Sequence, residues 1–484
     1  MNWKPQTEHS ISIYKQIYYY FEEKIRSGEL PSGSKMPTER DLAKHLSVNR
    51  STVSTAYDEL RSMGLIESQQ GSGTRVSDNM WENANSRRPN WQHYNPQGVY
   101  DPTSKLHSTI LNSFHRPHMI NFTRGELSAD LMPLRLLKQS AHQLDFDDPF
   151  SYFAGSGRDI QTRIQVSEFL SEANQIQSDP ENILITSGVK HSLSLIARTL
   201  LAPGEAVAVE GPSYLYAMQV FAEAGIRMVK LPMDEHGLIP SALPELVRRF
   251  RIRMVFTNPT FQNPTGTSLS LTRRKQLLDI CEQLSLPIVE DDPYSLLTLG
   301  DTQAIPSLKS LSGGERFVIY TGTMSKIATP GMRFGWIIAP EQVIEKLAMS
   351  KVRTGYSTSH LGERIAGDLL NSSDFSDHLL QVKHSLCSRR RRMLSCVEQE
   401  LKGLAHILAP EAPAGGYYLW LKLKHQIPDK LLMEQAIKHG IVFYPSSIYG
   451  DGDGKLRLSY ASSNESEIED GVCRLSKLLH FIKG

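Results

Sequence analysis

From residue 119 onward, five short apolar runs alternate with stretches of helical periodicity: Ile183-Leu184-Ile185-Thr186, Ala206-Val207-Ala208-Val209, Met254-Val255-Phe256-Thr257, Pro287-Ile288-Val289-Glu290 and Phe317-Val318-Ile319-Tyr320. A strand buried on both faces reads as a continuous apolar run, so this pattern predicts a mostly parallel sheet covered by helices on both sides. The same constraint bears on function. In open sheets of this class ligands gather in the crevice beyond the carboxyl ends of the strands. Each unusual segment of this half of the chain falls at such an end.

Thr186-Ser187-Gly188-Val189-Lys190 joins a strand to a helix, where free backbone N–H groups and the helix dipole suit a phosphate, although a plain connecting turn reads the same way. Tyr214 follows the next strand and is either a platform for a flat ring or a core aromatic. Asn258-Pro259-Thr260-Phe261-Gln262-Asn263-Pro264-Thr265-Gly266 is more specific, because its two Asn-Pro turns hold the Asn263 amide beside a strand end. Glu290-Asp291-Asp292-Pro293-Tyr294 places consecutive carboxylates after an apolar strand; burying them is costly unless something cationic pairs with them, and a protonated cofactor ring nitrogen meets that need. Lys326 lies between hydroxyls, in a segment running from Thr323 and Ser325 to Arg333. Such a lysine can bind an aldehyde cofactor covalently while its neighbours hold the cofactor's phosphate. A lone Ser-Lys pair is usually solvated surface, so the weight comes from the accompanying segments.

The length of 484 residues implies several domains. Lys plus Arg number 53 against 52 Asp plus Glu, a net charge of +1, which by itself points to neither nucleic acid nor membrane. The four cysteines form no Cys-x-x-Cys pair, as in a reducing compartment. There is no leader-like N-terminus and no apolar run near the roughly 18 residues a membrane span needs, so a cytoplasmic protein is expected. His115 and His118 lack a partnering cysteine or acid cluster, and no metal site is expected.

Near the N-terminus, Tyr14, Ile17, Tyr18, Phe21 and Ile25 recur at helical spacing until Ser27-Gly28 stops the pattern. Thr38-Glu39-Arg40-Asp41 reads as a capping box opening a second helix, and Ser47-Val48-Asn49 as a tight turn into a third. That third helix buries Val53, Tyr57 and Leu60 and presents Arg50, Ser51, Thr52 and Ser54 on the opposite face, groups suited to phosphates and base edges. Leu65 to Ser68 and Thr74 to Val76 flank a Gln-Gln-Gly-Ser-Gly turn as a hairpin, completing a winged helix-turn-helix. Basic and acidic residues nearly balance here, so a small helical cap with a solvated polar face fits the charge as well. From about residue 78 to 118 periodicity fades into a linker with short helical pieces around Leu106 to Phe114. Arg389 to Arg392 are spread around a helical stretch; a solvated surface is expected, with DNA or dimer contacts as the other reading.

Ile13 to Val76, with Met36-Pro37-Thr38-Glu39-Arg40-Asp41-Leu42-Ala43, Val48-Asn49-Arg50-Ser51-Thr52-Val53 and Gly71-Ser72-Gly73-Thr74, closely resembles the DNA-binding domain of GntR-family regulators. The resemblance implies that Arg40, Arg50, Thr52 and Ser54 touch promoter DNA, with Gly71 at the wing tip; Asn49 replaces the commoner Ser or Thr. Asn263, Asp291, Tyr294 and Lys326 in that order, with Arg333, resemble the site of fold-type I aminotransferases that use pyridoxal 5′-phosphate. That likeness implies an α/β domain with a smaller C-terminal α+β subdomain. It gives Lys326 the Schiff base, Asp291 the pyridinium, Asn263 and Tyr294 the ring hydroxyl, and Tyr214 the ring face. Thr323, Ser325, Arg333 and the Gly188-Val189 amides take the phosphate, with Tyr152 from a second subunit and Arg457 on an effector carboxylate. Val189 and Lys190 depart from the hydroxyl and glutamine common in that pattern. The whole order resembles the MocR-type subfamily: a winged helix at 10–78, a linker at 79–118 and a pyridoxal-phosphate effector and dimerisation domain at 119–484. The implied protein is a head-to-tail homodimeric regulator that senses an amino compound or the cofactor itself. A working aminotransferase with an appended DNA-binding domain, or a scaffold with a dead site, are the alternatives.

Overall fold

A computed structural model describes residues 3–6, 11–69, 73–77, 105–114, 116–144, 159–355, 358–408, 410 and 412–483. The chain divides into two compact units, 1–98 and 99–484.

The first unit holds helices α1 (Ile13–Arg26), α2 (Glu39–Leu46) and α3 (Arg50–Ser62), then strands β1 (Ile66–Gln69) and β2 (Gly73–Val76). Ile17, Phe21 and Ile25 line one stripe of α1 and are buried with Leu42, Leu46, Val53, Tyr57 and Leu60. The expected cap is present: Thr38 Oγ1 accepts from the Asp41 N–H at 3.1 Å and satisfies a donor the helix leaves unpaired. Ser47, left-handed at φ 58°, turns the chain into α3. β1 and β2 pair antiparallel with Ile66 opposite Val76, giving the winged helix-turn-helix expected from the sequence.

The second unit begins with the helix Lys105–Ser113 and strand β3 (Ile120–Asn121). Its large sheet uses β4 (Ile183–Thr186), β5 (Ala206–Gly211), β6 (Arg227–Asp234), β7 (Gly237–Leu238), β8 (Ile252–Thr257), β9 (Ile288–Asp291), β10 (Val318–Thr323) and β11 (Gly335–Ile338), in the order β4-β11-β10-β9-β8-β5-β6-β7. All five predicted runs are strands. β6 escaped notice because, of its residues, only Leu231 is buried and the others are half-buried or exposed, so it does not read as a continuous apolar run. β11 runs antiparallel to both neighbours, β10 and β4, so the chain leaves β10, forms the Lys326 to Arg333 loop and returns at the same end of the sheet.

A smaller sheet orders β12 (Ala405–Ile407), β13 (Tyr418–Leu423), β16 (Lys455–Ser459) and β15 (Tyr444–Pro445), all antiparallel, while β14 (Ile441–Val442) pairs in parallel with β3. This is the smaller α+β part. No described helix is long and apolar enough to cross a membrane, and no group of metal-binding side chains occurs among the described residues.

The arginine run corrects the expectation of a solvated surface. Within the helix Ser373–Glu400, Arg389 is buried and donates to Asp130 at 2.9 Å, the Ser128 hydroxyl at 2.7 Å and the Ala461 carbonyl at 2.8 Å. Arg390 donates to the Pro413 carbonyl and Arg392 pairs with Glu469, which leaves Arg391 as the exposed member. A helix spreads consecutive residues around its axis, and one direction here faces the core. Arg389→Ala should therefore lower stability by about 2–4 kcal/mol and Arg391→Ala by less than about 0.5 kcal/mol, as measured by urea denaturation.

Candidate functional site

The strand ends converge as the fold class requires. A cavity of about 260 Å³ is lined by Val189, Tyr214, Asn263, Asp291, Tyr294, Thr323, Ser325, Lys326 and Arg333, joined by Lys190, Met218, Pro293 and Pro330. Gly188 backs this wall at φ +95°; a Cβ there would lie 3.6 Å from the Arg333 guanidinium and 3.8 Å from the Thr323 hydroxyl. Arg333 is itself left-handed at φ 51°, a conformation uncommon for an arginine and the kind that clusters at binding sites. Tyr152 lies outside the described residues.

Three buried carboxylates at the end of β9 are sorted by their partners. Glu290 accepts from the Leu308 and Lys309 N–H groups at 2.9 Å each and lies 3.7 Å from the guanidinium of Arg274, with both side chains fully buried. Asp292 accepts from the Tyr320 hydroxyl and the Ser295 N–H, both at 3.0 Å. Asp291 faces the cavity and, among the described residues, its carboxylate meets only hydroxyls, those of Tyr214 and, at 3.2 Å, Thr321. Burial pushes its carboxyl up to about 7. Burial also raises Glu290 to about 7, with Asp292 adding to the rise and Arg274 opposing it. The cation that one of these acids needs is thus a protein arginine, whereas among the described residues Asp291 has no cation within ion-pair distance, only the more distant Lys326 ammonium across the cavity, which opposes the rise. Arg274 gave no sequence signal, because a single arginine in the helix Leu271–Gln283 looks like surface.

The Asn258 to Gly266 loop is tied down from within. Asn258 Oδ1 accepts from the Asn263 N–H at 3.0 Å, and Gln262 Oε1 accepts from Thr265 through its N–H at 3.1 Å and its hydroxyl at 2.7 Å. Glu210, buried at the end of β5, accepts from the Asn258 N–H at 3.1 Å and from Gln262 at 3.3 Å. The Tyr214 N–H donates to the Asn263 carbonyl at 3.1 Å, which joins two of the predicted residues directly.

Arg457 is not on the cavity wall. It is 3% exposed, donates to Asn263 Oδ1 at 2.9 Å and to the Thr123 carbonyl, and among the described residues its Nε has no partner. Tyr418, Tyr444 and Tyr449 surround it with ring centroids 4.0, 5.2 and 5.5 Å from the guanidinium carbon. A buried guanidinium held by neutral oxygens and aromatic faces is well placed to take an anion. Lys326 Nζ donates to the Gly125 carbonyl, and Tyr294 shares a 3.0 Å hydrogen bond with Tyr418. The tyrosines around Arg457 were missed, since nothing in Tyr417-Tyr418 marks them as other than core.

The donor set fits pyridoxal 5′-phosphate. A buried carboxylate with no cation in ion-pair contact among the described residues would suit a protonated ring nitrogen, and Gly188, Thr323, Ser325 and Arg333 would cradle the phosphate.

On the first unit, Arg40, Asn49, Arg50 and Ser51 are exposed and Thr52 and Ser54 are half-buried. Asn49 Oδ1 caps α3 by accepting from the Ser51 N–H at 3.4 Å, and Arg50 lies 3.6 Å from Glu39. Gly71 lies outside the described residues.

The family model "Bacterial regulatory proteins, gntR family" matches residues 13–76, and "Aminotransferase class I and II" matches 117–475. Over 470 residues the chain is 37% identical to the HTH-type transcriptional regulator YdfD of Bacillus subtilis (strain 168), covering 96% of each. Among solved structures it resembles the kynurenine aminotransferase of Pyrococcus horikoshii, with TM-score 0.74 and 25% identity over 84% of this chain and 100% of that one. LysN, the alpha-aminoadipate aminotransferase of Thermus thermophilus complexed with N-(5'-phosphopyridoxyl)-L-leucine, gives TM-score 0.72 and 28% identity over 82% and 99%.

Because the Asp291 carboxyl lies above its ordinary 3.8 in the folded protein, the native state holds that proton more tightly than the unfolded chain. Its contribution to stability therefore falls as pH rises from about 4 to about 7 and is lost above that. Asp291→Asn should remove this part of the pH dependence and stabilise the ligand-free protein at pH 8 by at most about 4 kcal/mol. Thermal melts across pH check it; parallel curves for the two proteins would contradict it.

Proposed function

The chain belongs to the class I and II aminotransferase family and carries a gntR-family domain in the MocR arrangement, so it is a transcriptional regulator that binds DNA through that domain, and we propose that pyridoxal 5′-phosphate and an amino compound control it. The single observation that carries this reading is Asp291, a buried carboxylate with only hydroxyl partners, facing a cavity it shares with Lys326 and Arg333.

In this reading Asp291 holds a proton on the cofactor's ring nitrogen, and Tyr214, bonded to Asp291, lies against the ring. Asn263 and Tyr294 orient the ring hydroxyl. Arg333, Thr323, Ser325 and the Gly188-Val189 amides hold the phosphate, and Tyr152 adds a contact from a second subunit. When bound, the cofactor supplies an aldehyde carbon at which the Lys326 amine and an effector amine exchange. Arg457 takes the effector carboxylate in a bidentate grip, which selects amino acids over simple amines. The binding energy can bias the regulator only as far as the effector prefers one arrangement of the protein over another.

Arg40, Arg50, Ser51, Thr52 and Ser54 supply the contacts to phosphates and base edges, with Gly71 at the wing tip and Asn49 serving mainly as the cap of α3. A head-to-tail homodimer in the cytoplasm presents two such faces to paired half-sites. The aminotransferase-type residues Asn263, Asp291, Tyr294, Lys326 and Arg333 also support turnover as a second reading; steady conversion of an amino acid and a keto acid would favour it.

Lys326→Ala should bind no cofactor covalently, scored by mass after borohydride reduction, and should lose the effector response while keeping a folded winged helix. Unchanged regulation in that variant rules the proposal out. Arg50→Ala should weaken binding to a promoter fragment retained by the wild type and reduce the slope of log affinity against log salt by about 1.

A further inference from the structure

We propose that Tyr418 is a positioning residue for the cofactor's ring hydroxyl: its O–H donates to the Tyr294 hydroxyl and so turns the Tyr294 proton into the cavity. This rests on the pyridoxal-phosphate reading above, in which Tyr294 meets that ring hydroxyl. Tyr294 lines the cavity, and its oxygen shares a 3.0 Å hydrogen bond with that of Tyr418, which is itself buried. Neither hydroxyl has another partner among the described residues. A tyrosine buried for packing alone settles its hydroxyl on a backbone carbonyl, as Tyr417 does on Lys326 and Tyr460 on Gly416 at 2.8 Å. Tyr418 instead directs its hydroxyl to one that faces the site.

The small sheet fixes this geometry. Tyr418 opens β13 opposite Ser459, with Arg457 two residues back along β16 on the same face. The Arg457 guanidinium carbon consequently lies 4.0 Å from the centre of the Tyr418 ring. The Tyr294 and Tyr418 rings meet edge to face, with centroids 5.9 Å apart and planes at 86°. On another side, a Cβ on Gly125 would lie 2.2 Å from the Tyr418 hydroxyl, so backbone fills the space into which that hydroxyl could otherwise move away.

A phenol carries one proton and two lone pairs. Between the two tyrosines either oxygen can donate, but an anionic ring oxygen beside Tyr294 takes only a donor. The Tyr294 proton then points to that oxygen, and the proton of the shared bond comes from Tyr418. Arg457 against the Tyr418 ring favours negative charge on that phenol, which makes its O–H a stronger donor, and donors in series reinforce one another. A stronger donor at the ring oxygen stabilises the negative charge there, so the bound cofactor gives up its titrating proton to water at a lower pH. The other groups around this pair are Tyr417 beside Tyr294, Tyr444 and Tyr449 beyond Arg457, and Tyr214, Asp291 and Lys326 across the cavity. All of them are retained in the variants that test the proposal.

The absorbance of pyridoxal 5′-phosphate bound to the full-length protein, followed against pH, gives the readout. Tyr418→Phe, which keeps the ring on Arg457, should move the midpoint up by about half a unit to one unit, the effect of one hydrogen bond. In a Tyr294→Phe background the same substitution should move it by less than about 0.3 unit, because Tyr418 reaches the cofactor only through the Tyr294 hydroxyl. Calorimetry, which needs no colour change, should show Tyr418→Phe binding the cofactor about two- to tenfold more weakly, again only where Tyr294 is present. A midpoint or an affinity that stays put, or equal effects in the two backgrounds, leaves Tyr418 a packing residue and overturns the proposal. A wild type that binds no cofactor overturns the pyridoxal-phosphate reading and this one with it.

Discussion

The second unit depends on burying Glu290, Asp291 and Asp292 in succession at the end of β9. Alternation along a strand sends the first and third to one side and the second to the other. Arg274 serves the first side: it lies 3.7 Å from Glu290 and also donates to the Leu269, Pro259 and Pro306 carbonyls and the Thr260 hydroxyl. One buried guanidinium thus pairs with Glu290 and holds the base of the Asn258 to Gly266 loop, while Asp292 is met by the Tyr320 hydroxyl and the Ser295 N–H. Removing a buried charge's partner is far more damaging than never having buried the pair. Asp291, on the other side, is left with two hydroxyls, and that imbalance makes the cavity a site.

The reversal from β10 to β11 completes it. Gly322 and Gly335 let the two strands close, since a Cβ on Gly322 would lie 2.5 Å from the Trp336 ring and one on Gly335 would lie 2.8 Å from Gly188. Those approaches bring Thr323, Ser325, Lys326 and Arg333 against the start of the helix Val189–Leu200. The small sheet then supplies Arg457 and the tyrosines packed on it, while β3, paired with β14, leads into Thr123 and Gly125, whose carbonyls accept from Arg457 and Lys326. Lys326, Arg333, Arg457 and the segment after β3 are in this way one packed assembly.

Much of this was legible in advance where the signal is short-ranged. Helical spacing located α1 to α3, the Thr38 cap and the Ser47 turn behaved as their chemistry requires, and continuous apolar runs found five strands. Lys326, Asn263 and Asp291 stood out because hydroxyls, Asn-Pro turns and consecutive acids are unusual at strand ends. Arg274, Glu210 and Tyr418 did not stand out, because each is an ordinary residue in an ordinary pattern. Arg389 was misread for the same reason: its helix shows four arginines and does not say which faces Asp130.

Sequence alone therefore specified the two architectures, the strand ends at which chemistry gathers and the residue types gathered there, since periodicity and turn preference act over a few neighbouring residues. Tertiary structure decided which charge each buried group meets. It assigned Arg274 to Glu290, left Asp291 to hydroxyls, and set Thr123 and Gly125 on Arg457 and Lys326. Those pairings join segments far apart in the chain, and only packing brings them within hydrogen-bond reach.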